Sequence, residues 1–196
     1  MAGELITLIE HGGDYLVEAV NVVRVGVTVY QVLGRSFNYL RGFIGPKQKE
    51  NLHKVSEDAF VKLGSIDQDR ISDPSPSIVT PLLEAACQES REELQRLWAC
   101  LLANAMIKNG KVRIDFIDIL KQLDPQDALA LTVIKDTQNK SDVQAANRQI
   151  GEVGLTEDEW LYSWEKLQRL GLAHKMPLPR LDALGRLFLA ACSDPT

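Results

Sequence analysis

One stretch of this chain has very few ways to fold. From Leu94 onward, Leu97, Trp98, Leu101, Leu102, Ala105 and Met106 recur at steps of three and four residues, the period of an α-helix with one wide apolar face. A face of that width leaves water only if other parts of the chain cover it. Ser90 and Glu93 stand in the S-x-x-E relation of a capping box just ahead of it, and Asn109-Gly110 supply stop residues behind it. The pattern predicts a helix from about Ser90 to Lys108.

Weaker helical patterns flank it. Thr80-Pro81 is a capping hydroxyl followed by a first-turn proline, which predicts a short helix to about Cys87. A second segment turns Ile114, Ile117, Leu120 and Phe116 inward, and Asp124-Pro125 starts a helix carrying Ala128, Leu129, Leu131, Thr132 and Ile134. After a polar loop comes a short helix from about Asp142 to Ile150. Thr156 then caps a helix whose first turn, Glu157-Asp158-Glu159, complements the helix dipole. Trp160, Leu161, Trp164, Leu167 and Leu170 run along it to Gly171. A strand at 172–176, a turn at Pro177-Leu-Pro179, a second strand and a closing helix to Cys192 give the order of a winged-helix unit. The expected fold is therefore mainly α, a bundle-like helical centre with a C-terminal winged-helix-like unit containing a short β-hairpin. Its parts are an apolar, basic amino-terminal segment (1–63), a proline-containing connector (64–80), a central helical region (81–137) and the winged-helix-like unit (138–196).

Charge is distributed unevenly. The chain carries 27 acidic and 22 basic residues among 196, a formal charge of −5, which speaks against a surface built throughout to coat nucleic acid. Between positions 24 and 54, however, Arg24, Arg35, Arg41, Lys47, Lys49 and Lys54 face only Glu50. These six cations interleave with Val27, Val29, Tyr30, Leu33, Phe37, Tyr39, Leu40, Phe43 and Ile44, a pattern that fits either an anionic membrane surface or a partner protein. The alternative is an amphipathic helix packed on the body with its cations solvated. The apolar run from Leu16 to Leu33 is broken by Glu18, Asn21, Arg24 and Gln31, which argues against a spanning helix. The three cysteines, Cys87, Cys100 and Cys192, offer neither a disulfide framework nor a C-x-x-C site and fit a cytoplasmic protein, with Cys87 and Cys100 read as core thiols.

Three runs together carry a resemblance. They are Pro74-x-Pro76-Ser-Ile-Val-Thr-Pro81-Leu-Leu-Glu-Ala-Ala, then Glu92-Glu93-Leu94-x-x-Leu97-Trp98-Ala99-x-Leu101-Leu102-Ala103-Asn104-Ala105-Met106, and Phe116-Ile-Asp-Ile-Leu120-Lys-Gln-Leu123-Asp-Pro125-x-Asp127-Ala128. Over roughly residues 70–192 the chain resembles the bacterial abortive-infection alpha (Abi-alpha) family, a domain of unknown function associated with phage defence. The resemblance implies a role in immunity to phage and brings no catalytic residues with it.

The residues themselves supply no catalytic constellation. His11, His53 and His174 are scattered without H-E-x-x-H or C-x-x-C companions, and there is no GxxxxGK[ST] loop or G-x-S-x-G elbow. Asp115 and Asp118, with Lys121 a turn further on, could hold a magnesium ion in a nuclease, but alternation with Ile114, Ile117 and Leu120 makes them the solvated side of an amphipathic helix. A non-enzymatic defence protein follows, with no cofactor. It acts through an unidentified host or phage protein, with peripheral contact at the inner membrane face and self-association as further expectations. The alternative is a DNA-binding regulator using Lys175, Arg180 and Arg186 as phosphate contacts. The acidic turn at Glu157-Asp158-Glu159, which would approach the bases, opposes it.

Overall fold

The computed structural model describes residues 44–108, 110–137, 143–174 and 180–196. The apolar run at 16–33, His11, Arg24, Arg35, Arg41, Lys175 and the turn at Pro177–Pro179 lie outside them. The described residues contain eight α-helices: α1 (Pro46–Leu63), α2 (Pro76–Ala86), α3 (Glu92–Ala105), α4 (Ile114–Leu120), α5 (Pro125–Thr137), α6 (Val143–Glu152), α7 (Glu157–Arg169) and α8 (Ala183–Ala191). A 3-10 turn, Gln68–Arg70, lies between α1 and α2.

The leucine-rich segment is α3, and its burial exceeds one face. Eight of its fourteen residues are buried, including every position from Trp98 to Ala103, so it is enclosed on nearly all sides, as a helix that is apolar around its circumference must be. Helices α1, α2, α4, α5 and α8 all pack on it, while α5 carries α6 and α7 on its far side. From α1 come Leu52, Val55, Ala59 and Leu63, at helical spacing. From α2 come Val79, Leu82, Leu83 and Ala86. Buried polar groups fix the register where these three helices meet: Asn51 Nδ2 donates to the Cys87 carbonyl (3.1 Å) and Gln95 Nε2 to the Glu89 carbonyl (2.8 Å).

Several helix ends differ from the sequence reading. The Ser90–Glu93 capping box does not form. Arg91 is the N-cap residue of α3, because the Glu89 carboxylate accepts both its backbone N–H (2.9 Å) and its guanidinium (2.8 and 2.9 Å). Helix α2 begins at Pro76 rather than Pro81, so Pro81 lies inside it. The donor that Pro81 lacks is the one for the Ser77 carbonyl, and Ser77 is exposed to water. On α4, Phe116 is fully buried while Ile114 is 44% exposed. Phe116 meets Phe188 of α8 edge-on, with ring centres 5.8 Å apart, a geometry its quadrupole favours. At α7 Thr156 caps as read, and the structure completes it into a capping box: Glu159 N–H donates to Thr156 Oγ1 and Thr156 N–H to the Glu159 carboxylate.

The winged-helix detail is not what the described residues show. In place of a hairpin there is one isolated antiparallel bridge, Ala173 opposite Leu181, held by His174 N–H on the Arg180 carbonyl (2.9 Å) and Asp182 N–H on the Leu172 carbonyl (3.0 Å). Leu172, Ala173 and Leu181 are drawn into the core, so the segment works as a buried staple. Gly185, near the start of α8, rests directly on it: a Cβ there would overlap the Leu172 carbonyl oxygen.

A charged junction ties α3, α5 and α7 together. Asp127, only 1% exposed, accepts from Lys166 Nζ of α7 at 2.6 Å, and Asp124 accepts from the same ammonium (2.8 Å) and from Arg91 Nη1 (2.7 Å). Asp127 also accepts the backbone N–H of Asp124 at the head of α5 (2.7 Å). The hydrogen bond from Lys166, followed by that from Arg91, holds the Asp124 carboxyl below its usual range. Burial works against the charge on Lys166, yet its two carboxylate partners hold its pKa above the ordinary lysine value.

Removing one partner of a buried pair costs more than the pair contributes. Lys166→Met, which leaves Asp127 without its cation, is expected to lower unfolding free energy by about 3 kcal/mol in urea denaturation. A depressed carboxyl pKa contributes stability above the ordinary value and loses it as pH falls through the folded one. The stability gap between wild type and Asp124→Asn is therefore expected to be widest near neutral pH and to close progressively below about pH 4, as measured by denaturation at a series of pH values.

Candidate partner-binding face

Helix α7 is amphipathic in an unusual way. Its inward positions, Ser163, Trp164 and Leu167, are buried against the body. Its outward positions should be polar throughout, yet Leu161 and Tyr162 stand 50% and 61% exposed in the middle of them. Exposed Glu157, Asp158 and Glu165 surround the pair. Position 161 follows 157 and precedes 165 by four residues each, so Glu157, Leu161 and Glu165 form one row along the helix. Tyr162 stands in the same relation to Asp158.

Beside this row lies a groove of about 490 Å³ between α6 and α7, lined by Ile150, Gly151, Leu155, Glu157, Trp160 and Leu161. Its floor is set by the turn joining the two helices. Gly154 has φ of 77°, a left-handed conformation that glycine adopts at little cost, and this lets Leu155 N–H reach back to the Ile150 carbonyl at 3.2 Å. Trp160 forms one wall and stacks on Trp164 with ring centres 5.9 Å apart, so its position is fixed from behind. The capping box keeps Glu159 anionic, its carboxyl lowered by hydrogen bonds from the Thr156 backbone and hydroxyl, while Lys166 is turned away into the junction with Asp124 and Asp127. The result is an aromatic and leucine surface with a carboxylate border. It can bury apolar side chains and pair with lysine or arginine; it presents no nucleophile.

The residues singled out from the sequence do not assemble into one site. Lys47, Lys49 and Lys54 all lie on α1, where Lys54 pairs with Glu50 (3.1 Å) and its neighbour His53 with Glu57 (3.2 Å). With Lys62 added, that helix carries four cations against Glu50, Glu57 and Asp58, so its charge is nearly balanced. Arg180 is exposed next to the bridge, and Arg186 spends Nη1 on the Leu181 carbonyl (2.8 Å). Asp118 pairs with Lys121 at 3.2 Å, and Asp115 lies exposed on the same helix. His174 pairs with Asp182 at 2.7 Å. All three cysteines are buried; burial pushes the Cys100 thiol up to about 11 and that of Cys192 well above its usual value, which keeps both in the unreactive thiol form.

The exposed pair on α7 was readable as an anomaly. Trp160, Trp164 and Leu167 already supply an inward stripe at steps of four and three, and Leu161 falls outside it. The structure leaves Leu161 half exposed outside that stripe.

A family model described as abortive infection alpha matches residues 47–185, which is more than half of the chain and spans α1 through the start of α8. No curated protein and no solved structure matches.

If Leu161 and Tyr162 have no structural duty, replacing them should leave the fold intact. Leu161→Ser with Tyr162→Ser is expected to change unfolding free energy by no more than about 0.5 kcal/mol, whereas Trp164→Ala should cost about 3 to 5 kcal/mol, both read by chemical denaturation followed by circular dichroism.

Proposed function

We propose, from the premise that this chain belongs to the abortive infection alpha family, that it serves in bacterial defence against phage by binding a host or phage protein rather than by catalysing a reaction. The observation that carries this reading is the exposed Leu161–Tyr162 pair beside the α6–α7 groove, bordered by Glu157, Asp158 and Glu165. Apolar side chains left in water on an otherwise well-packed body mark an interaction surface, and aromatic residues are the usual anchors of such contacts. The border selects the partner: a segment with apolar residues flanked by lysine or arginine gains complementary pairing and faster encounter, and an acidic one is repelled. The same border repels a phosphate backbone, which favours protein over DNA as the ligand.

Contact with the inner membrane face is a second component of the proposal. It rests on Arg24, Arg35 and Arg41 among apolar residues in the sequence, since α1 adds almost no net charge to them. No described helix is long and apolar enough to cross a membrane.

The defence reading is tested by phage challenge of cells carrying the intact gene, the empty vector, or the gene with Leu161→Glu and Tyr162→Glu. The intact gene is expected to reduce plaque number, and the doubly charged variant to lose protection while accumulating to the same level. Equal plaque numbers with intact gene and vector would overturn the defence role; full protection by the variant would remove the α7 face from it. For the membrane component, the whole protein is expected to float with anionic liposomes, not with neutral ones, and to stop floating when Arg24, Arg35 and Arg41 are changed to glutamine.

A further inference from the structure

A second cavity, of about 640 Å³, opens on another part of the body, where the 3-10 turn, the end of α3 and helix α8 meet. Three cations line it, Arg70, Lys108 and Lys111. Two of them are forced together by the backbone. Ile71 and Ile107 form an antiparallel bridge, with Lys108 N–H donating to the Arg70 carbonyl at 2.7 Å and Ser72 N–H to the Met106 carbonyl at 2.8 Å. Residues 70 and 108 are therefore directly opposite one another. Ile107 is buried and Ile71 packs against the core, while Arg70 and Lys108 are both exposed and both line the cavity. Like charges directly opposite across such a pair destabilise it.

Lys108 and Lys111 form no ion pair among the described residues, while Arg70 Nη2 is engaged by a main-chain oxygen of Thr196. Asp194 also lines the cavity, but its carboxylate is committed to Lys62 Nζ at 2.7 Å. Asp69 remains on the rim. Arg70 donates Nη2 to the Thr196 carbonyl at 2.7 Å, which orients the guanidinium and leaves most of its five donors available. The wall opposite is held in place as well: Asn104 Nδ2 donates to the carbonyls of Ala191 (3.0 Å) and Ser193 (2.8 Å) and fixes the end of α8 against α3.

We propose that this cavity binds a small phosphorylated molecule, with a phosphate bridging Arg70 and Lys108 and Lys111 supplying the third cation. Guanidinium and ammonium groups in one cluster match the several acceptor oxygens of a phosphate, and the volume lies in the range of small-molecule sites. Leu187 and Ala190 of α8 give the remainder of the ligand an apolar wall. The site is separate from the α7 face and does not depend on the role given to it.

The probes are ADP and inorganic pyrophosphate, titrated calorimetrically into the full-length protein at low salt, with citrate as a carboxylate control. Saturable ADP binding is expected, weakened roughly tenfold or more by Lys108→Gln with Lys111→Gln, about the loss of one charge-assisted hydrogen bond. The remote Lys121→Gln should bind as wild type does. Both lysines are exposed, and an unchanged thermal midpoint of the double variant will show that the fold survives. Pyrophosphate binding as tightly as ADP would support the site with phosphate alone as the recognised group. Absence of binding by either phosphate, citrate binding as tightly as both, or ADP affinity unchanged in the double variant would each overturn the proposal.

Discussion

The structure depends on the removal of one short helix from water. Helix α3 is buried on nearly its whole circumference, from Leu94 to Ala103, and a single neighbouring helix can cover only part of such a cylinder. Five helices are needed, and the chain supplies them from both directions in sequence: α1 and α2 from before, α4, α5 and α8 from after. This explains why α8, last in the chain, returns to α3 through Phe188 and Phe116 rather than staying with its sequence neighbours α6 and α7. It also explains why the buried polar groups on α1 and α3 are amides. Asn51 and Gln95 satisfy backbone carbonyls at the helix ends, setting register without placing a charge in the core.

Attachment of α7 follows a different rule. Its apolar face packs on α5, but its bond to the helix bundle around α3 runs through Lys166, the Asp124–Asp127 pair and Arg91. Apolar packing is non-directional, whereas charge-assisted hydrogen bonds from Arg91 and Lys166 to the Asp124–Asp127 pair tie α7, the head of α5 and the start of α3 at defined points. The groove beside Trp160 is thereby presented at a fixed angle to the body. The elements that expose the leucine and tyrosine are thus the ones most firmly oriented, as an interaction surface with low ordering cost requires.

What could be read from the sequence was whatever local periodicity and local chemistry decide. The position of α3, the Thr156 cap and the burial of Cys87 and Cys100 follow from local periodicity and neighbours a few residues away, and they appear as read. The Ser90 box failed because Glu89, one residue earlier, had a better use for Arg91, and because Asp124, more than thirty residues away, completed the arrangement. Phe116 is inward as read and meets Phe188 of a distant helix, whereas Ile114, also expected inside, is left exposed at the start of α4. Of the expected pair of strands the described residues show one bridge, Ala173 opposite Leu181, with Leu172, Ala173 and Leu181 buried in the core. Neither cavity was legible. The groove joins α6 to α7, and the cationic one brings together residues from position 69 to position 196, distances over which a linear pattern carries no signal.

Gly185 connects two of these features. A glycine inside a helix normally weakens it by about 1 kcal/mol relative to alanine, and here its missing methyl group is what allows α8 to lie backbone against backbone on Leu172. Leu187 and Ala190, which wall the cationic cavity, are carried on the same helix a few residues further on. The contact of Gly185 with Leu172 consequently sets where that cavity's wall stands, since any side chain at 185 would have to push α8 away from the Leu172 carbonyl. The position with the least chemistry in the chain is the one through which the turn after α7 and the cavity beneath α8 are joined.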